Sequence, residues 1–124
     1  MKLLLDAHAV LWWVNGDERL SATALEHLID DENDVLLSAV VAWEIAVKRA
    51  LGKIKGNDAM WEYLAEVDVR ELPVTVEHAR AVEHLPLHHR DPFDRLLVAQ
   101  AVSERAVLVS RDSELRLYDV PVIW

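Results

Sequence analysis

The chain has 124 residues, 22 of them acidic against 13 basic, for a formal net charge of -9, and it contains no cysteine. That length suits one domain around one core, expected to span 1–124, and 52% hydrophobic content with only three glycines and four prolines excludes a disordered chain. Without cysteine there is no disulfide framework and no thiolate metal site, so any bound ion must be held by oxygen or imidazole.

No run of about 18 apolar residues is available to span a bilayer. Asp6 and His8 interrupt the apolar opening MKLLLDAHAVLWWV, and no small-residue cleavage site follows it, so a cytoplasmic protein without membrane contact is expected. An acidic surplus opposes phosphate binding overall, but the charge is unevenly placed. Glu26, Asp30, Asp31, Glu32 and Asp34 crowd one segment; Lys48, Arg49, Lys53 and Lys55 crowd another. Either block alone is accounted for by a solvated face.

Taken in order, Lys2 to Leu5 make a short apolar strand ending at Asp6, and Ala9, Val10, Trp13 and Val14 then keep helical spacing. Ser21 is a candidate cap for a helix to about Leu28; Thr23 with Glu26 offers capping-box spacing two residues later. Residues 35–37 read as a buried strand. Ser38 is placed to cap the helix that carries Trp43, Glu44, Ile45 and Val47 and stops at Gly52. A helix over Ala59 to Glu66, a strand at 69–72 closed by Pro73, and a helix from Thr75 or Val76 to about His84 follow.

The most informative stretch is 88–112. Asp91 followed by Pro92 announces a helix, Leu96, Leu97 and Ala101 keep its spacing, and Asp94 falls in its first turn. Val107, Leu108 and Val109 form an uncharged strand of the kind buried on both faces of a parallel sheet, and Asp112 stands where it stops. One more helical turn at Ser113 to Leu117 and a strand at 120–123 complete the chain. Strands alternating with helices predict an α/β fold with a mainly parallel sheet and right-handed crossovers.

Each carboxylate has an ordinary explanation. Asp6, Asp91 and Asp112 all precede helical segments and suit N-caps, Asp94 is a short capping partner for Asp91, and Glu44 with Lys48 is an i, i+4 surface pair. As a set they are harder to dismiss. Asp6 and Asp112 end two apolar strands, Asp94 opens the helix leading into one of them, and Glu44 lies just after a third, so all four can meet at one sheet edge. Converging carboxylates repel unless a cation neutralises them, and oxygen donors select a hard ion, Mg²⁺ or Mn²⁺. Such an ion suits phosphodiester hydrolysis by an activated water.

In LLLDAHAVLWWV, SAVVAWEIAVKRALGKI, LPLHHRDPFDRLLVAQA and LVSRD, nearly the whole chain resembles the PIN-domain ribonucleases, in particular the VapC-type toxins of prokaryotic toxin–antitoxin pairs. RDPFDRLLVAQA is the most specific of these stretches. The resemblance implies a three-layer α/β/α sandwich with a five-stranded parallel sheet and an acidic Mg²⁺ site for cutting RNA. It implies Asp6, Glu44, Asp94 and Asp112 as metal-site residues, with Asp91 and Ser110 accessory. It further implies a homodimer, and an antitoxin whose basic segment reaches the acidic pocket. The chain departs from the common pattern at Ala7, where a hydroxyl usually follows the first Asp; its absence would weaken a bond behind the metal ligands.

Lys48, Arg90, Arg95 and Arg111 are the candidate holders of RNA phosphate. His88 and His89 after His84 have a spacing that suits zinc, but a polar loop is the expected role. His8 either lines the site or faces solvent. Trp12 beside Trp13 cannot easily place both rings in one core, so one belongs to an interface. A signalling receiver domain shares the architecture and the acids, but it needs paired acids after the first strand, where Ala7 and His8 stand, and a phosphorylatable Asp where Pro73 stands. An Asp-x-Asp phosphatase fails at His8. The remaining alternative is a catalytically silent PIN fold used for binding, which Ala7 alone suggests.

Overall fold

The computed structural model describes residues 1–56 and 58–124. In chain order its elements are β1 (Lys2–Leu5), α1 (Ala7–Val14), α2 (Ala22–Ile29), β2 (Asp34–Ser38), α3 (Ala39–Ala50), α4 (Ala59–Glu66), β3 (Arg70–Leu72) and α5 (Val76–Ala81) with a 3₁₀ turn at Val82–His84. They continue with α6 (Pro92–Glu104), β4 (Val107–Val109), a 3₁₀ segment Ser113–Leu117 and β5 (Val122–Ile123). The five strands lie in the order β3-β2-β1-β4-β5, every neighbouring pair parallel.

Successive strand residues point to opposite faces, yet Leu3, Leu4 and Leu5 are all 0% exposed. Both faces of the sheet are therefore covered, which gives the three-layer α/β/α sandwich expected from the uncharged strands. From β1 the chain moves outward through β2 and β3, then returns past β1 to lay down β4 and β5. The reversal sits between β1 and β4. In open parallel sheets the crevice beyond the carboxyl ends of such strands is where ligands bind.

The register brings particular residues to that crevice. Leu4 pairs with Leu36 and Leu5 with Val109, so the next positions, Asp6, Ser38 and Ser110, form one row across β1, β2 and β4. Caps set the helix starts. Ser21 accepts from the Ala24 N–H at 3.0 Å, which makes it, rather than Thr23, the start of α2. Ser38 accepts from the Val40 N–H at 3.0 Å and starts α3 directly at the end of β2. α3 ends at Gly52, whose φ of +71° suits a residue without Cβ.

Two boundaries differ from the sequence reading by more than a residue. The helix expected to reach His84 gives way to a 3₁₀ turn, with Leu85 extended before Pro86, because a residue preceding proline is disfavoured in the α region. The last strand is shortened to two residues, since Pro121 has no N–H for the ladder; its carbonyl still accepts from the Leu108 N–H at 2.9 Å.

Inside the sandwich lies one polar network. Gln100 of α6 is fully buried; its Oε1 accepts a hydrogen bond from the Ser38 hydroxyl and its Nε2 donates to the Pro73 carbonyl at 3.2 Å. His78 of α5 closes the Thr75 capping box and reaches Glu104 at 3.1 Å. These bonds tie α5, α6 and the end of β2 together behind the crevice. Among the described residues no helix is long and apolar enough to cross a membrane.

Candidate active site

Asp6 leaves β1 with its N–H still on the sheet, donating to the Val109 carbonyl at 3.2 Å, while its Oδ1 caps α1 by accepting from the Ala9 N–H at 2.8 Å. It is 6% exposed. Burial raises its pKa; the Ser110 hydroxyl, the Ala9 N–H and His8 pull the other way, and Glu44 adds to the rise. Ser110 also accepts the Asp112 N–H at 3.0 Å, so one buried hydroxyl joins Asp6 to Asp112. It supplies to Asp6 the hydroxyl that Ala7 lacks.

Glu44 occupies the inner side of α3, also 6% exposed, where Lys48 meets its Oε2 at 2.7 Å. The i, i+4 pair expected on the surface is therefore built around a buried carboxylate. The hydrogen bond to Glu44 raises the Lys48 pKa against the effect of burial, and Asp91 and Asp94 contribute as well. Lys48 thus serves as a resident counter-charge for the pocket, rather than a free cation for phosphate.

Asp91 caps α6, its Oδ1 accepting from the N–H groups of Phe93 at 2.8 Å and Asp94 at 3.2 Å. Asp94 follows in the first helical turn. Its pKa is pushed up to about 7, by burial first and then by the charges of Asp91 and Glu44; His89 opposes the rise and Asp6 adds to it. Asp94 thus feels the charges of Asp91, Glu44 and Asp6 from the same edge of the sheet.

Asp112 begins the 3₁₀ segment after β4, its Oδ1 accepting from the Glu114 N–H at 2.9 Å. Its Oδ2 lies 3.0 Å from His89 Nε2, which is also 3.2 Å from Asp94 Oδ2 and 3.4 Å from Glu114 Oε2. His89, expected in a polar loop, is instead the hub of the rim. Its own N–H donates to the Tyr118 hydroxyl at 2.9 Å and its Nδ1 accepts from the Asp91 N–H at 3.1 Å. A ring that accepts at Nδ1 carries its hydrogen on Nε2 and donates it to the carboxylates. Burial works against a second proton on His89, but the Asp112 hydrogen bond and the charges of Asp94, Asp112 and Glu114 outweigh it and raise the pKa. The Asp91 N–H facing Nδ1 resists that proton.

Arg95, expected to hold RNA phosphate, has a different task. Its Nη1 donates to the Pro86 carbonyl at 3.0 Å and the Tyr118 hydroxyl at 3.2 Å, and its Nη2 to the Val82 carbonyl at 3.3 Å. It anchors the loop that delivers His89 and is removed from the phosphate-binding set. Arg90 and Arg111 are exposed and adjoin Asp91 and Asp112 in the chain.

The donor set suits a hard divalent ion. Asp6, Glu44, Asp94 and Asp112 offer only oxygen, and the pKa of Asp94, raised by burial first and then by its acidic neighbours, is one that a divalent ion would lower again. His89 Nε2 and the carboxylates of Asp112 and Glu114 lie within 4.8 Å of one another, the one group of three such ligand atoms that close among the described residues; of the four expected metal-site carboxylates it includes Asp112 and leaves out Asp6, Glu44 and Asp94. With its hydrogen on Nε2, however, His89 acts in that cluster as a donor. In the sequence His89 stands out only as one of three histidines at a zinc-like spacing, expected in a polar loop, and Glu114 carries no signal there.

Residues 3–121 match the model of the PIN domain. The chain belongs to the PIN domain family. Ribonuclease VapC22 of Mycobacterium tuberculosis is 30% identical over 129 residues, covering 98% of this chain and 98% of that protein. Among solved structures, the chain resembles VapBC2 from Rickettsia felis bound to a DNA fragment from its promoter, with TM-score 0.73, 16% identity and coverage of 99% of this chain and 98% of that one. It also resembles VapBC-5 from Mycobacterium tuberculosis, described as a member of the VapBC family of toxin–antitoxin systems, with TM-score 0.65, 19% identity and coverage of 98% and 97%. At those identities the two structures speak for the PIN fold alone. An acidic cluster at the carboxyl edge of a PIN sheet is a setting for a divalent metal.

Proposed function

We propose that this PIN domain is a Mg²⁺-dependent endoribonuclease, the toxin of a toxin–antitoxin pair, with Mn²⁺ able to replace Mg²⁺. The observation that carries the reading is Asp94, a half-buried carboxyl whose pKa is raised to about 7 by burial first and then by the charges of Asp91, Glu44 and Asp6. A fold has little structural reason to assemble such a group, whereas a cation site requires one. The name of the relative VapC22 supports RNA as substrate, and the toxin–antitoxin description of VapBC-5 supports the partner.

Asp6, Glu44, Asp94 and Asp112 hold the ion, whose contribution when bound is to stabilise charge on the phosphoryl group and to make a water more acidic. Ser110 orients Asp6 and Asp112 together. His89 fixes Asp94 and Asp112 at the rim, and Asp91, by capping α6, sets the angle at which Asp94 enters. Lys48 holds Glu44 through their 2.7 Å ion pair. Arg90 and Arg111, exposed at the edge, are placed to meet the phosphates of the strand. The antitoxin then covers the acidic opening with a basic segment, and the toxin pairs as a homodimer. The Ser110 hydroxyl bonded to Asp6 supports the enzyme over the silent binding module that Ala7 suggests.

The test is cleavage of total RNA with Mg²⁺ and with chelator. Asp6→Asn and Asp94→Asn each abolish cleavage while circular dichroism stays unchanged, since Asn at position 6 keeps the α1 cap. Undiminished cleavage by both variants rejects the reading.

A further inference from the structure

Beside the acidic pocket stands an aromatic pile that the carboxylate chemistry does not use. His8 lies in the first turn of α1, two residues past Asp6, and contributes to the charge that Asp6 feels. Its ring stacks on Trp12 one turn later, with centroids 5.2 Å apart and planes 12° from parallel. Trp13 points into the core, so its neighbour Trp12 is turned outward, as a helix requires. Trp124 packs edge-on against Trp12 at 5.6 Å, and the guanidinium carbons of Arg19 and Arg111 stand 5.0 and 5.8 Å from the Trp12 ring centre. Arg19 is locked there by Asp17, Nη2 to Oδ2 at 2.7 Å. Arg111 adjoins Asp112, is exposed, and makes no salt bridge among the described residues. Trp12 is thus hemmed in on several sides, while His8 is exposed.

We propose that this pile is a base-binding subsite: an unpaired nucleobase of the RNA strand extends the stack on His8, and Arg111 takes the adjoining phosphate. The proposal rests on the nuclease reading and deepens it, making the substrate a single-stranded or looped RNA. A flat exposed ring backed by a second ring, with a cation alongside, is the arrangement that grips single strands without reading base edges. His8 and Arg111 follow and precede Asp6 and Asp112 in sequence, so the subsite lies at the edge of the pocket itself. Stacking also answers the charge problem, because a chain of net charge -9 gains little from phosphate attraction and needs a grip that charge does not oppose.

The experiment uses the full chain carrying Asp94→Asn, so that RNA survives, and follows binding of single-stranded oligoadenylate of about 12 nucleotides by anisotropy, against an abasic ribose-phosphate strand of equal length. His8→Ala in that background weakens oligoadenylate binding by about 10-fold or more and leaves abasic binding unchanged, while His8→Phe restores it. Arg111→Ala weakens both strands. Equal loss for the two strands, or no loss for either, overturns the subsite. So does a His8→Ala effect that appears only as altered self-association in sedimentation, which would assign the pile to a second copy of the chain. The parent reading is separated by a parallel assay with Asp94 intact: Mg²⁺-dependent cleavage with base-independent binding removes the subsite alone, whereas absent cleavage and absent binding remove both.

Discussion

Asp6 and Asp94 are carboxylates at one sheet edge, but the first is surrounded by donors and the second by other acids. Asp6 inherits its surroundings from the backbone: the register sets Ser110 beside it, and the first turn of α1 presents the Ala9 N–H. Burial is opposed there by three favourable groups. Asp94 enters from the start of α6, where Asp91 and Glu44 are its neighbours and His89 and Lys48 work in its favour. The difference shows how one pocket divides its labour. The strand-end acid is fixed and kept ready by permanent partners; the helix-borne acid is left short of positive charge, and so gives the pocket its demand for a cation.

The comparison breaks most visibly with pH in the absence of metal. Folded Asp94 keeps its proton up to about pH 7, whereas in the unfolded chain it ionises near 3.8. Between those values the folded state binds more protons, so stability falls as pH rises through the window and levels off above it. The loss is a few kcal/mol in order of magnitude, read by urea denaturation in chelator at pH 5 and pH 8. Asp94→Asn flattens most of that slope, and Asp6, also raised, supplies a remainder of the same sign. Asp17, held at about 2 by Arg19, works in the opposite sense and only below its ordinary 3.8, outside this window.

Next in size is His89→Ala, which removes a donor shared by Asp94 and Asp112 and destabilises the metal-free protein by about 1.5–3 kcal/mol, as measured by the same denaturation. His89→Gln, which can again present an N–H, recovers part of the loss. If the two variants are indistinguishable from the native chain, the rim does not depend on His89 in the way its distances imply. The smallest effect sharpens the other side of the comparison. Ser110→Ala takes one hydroxyl from Asp6 and from the Asp112 N–H, and lowers stability by about 1–2 kcal/mol. Its consequence is felt at Asp6 while the Asp94 titration is preserved, which an NMR titration of the two carboxyls distinguishes.

The part of this site that was legible in the sequence is the part made by local rules. Caps at Asp6, Ser38 and Asp91 announce themselves within three residues, short uncharged runs mark the buried strands, and a parallel sheet sends the residues after β1 and β4 to a common edge. What stayed hidden depends on partners far along the chain. His89 in LHHRD looks like any polar loop until Tyr118 and Asp112, 29 and 23 residues away, give it a place. Arg95 reads as a free cation because its acceptors are carbonyls, which leave no trace in side-chain identity. Gln100 carries no local signal, and only its pairing with Ser38, 62 residues away, reveals a buried strut. Lys48 was paired with Glu44 from spacing alone, and only the burial of Glu44 moved that pair from the surface to the pocket wall.

The most direct test of the central claim is a Mg²⁺ titration followed by thermal unfolding at pH 8, for the native chain and for Asp6→Asn, Glu44→Gln, Asp94→Asn and Asp112→Asn. The native chain gains stability with the ion, about 2.7 kcal/mol at a hundredfold excess over Kd, and each variant loses most of that gain. A gain that survives in all four variants, or its absence in the native chain, contradicts the convergence of these carboxylates on one ion.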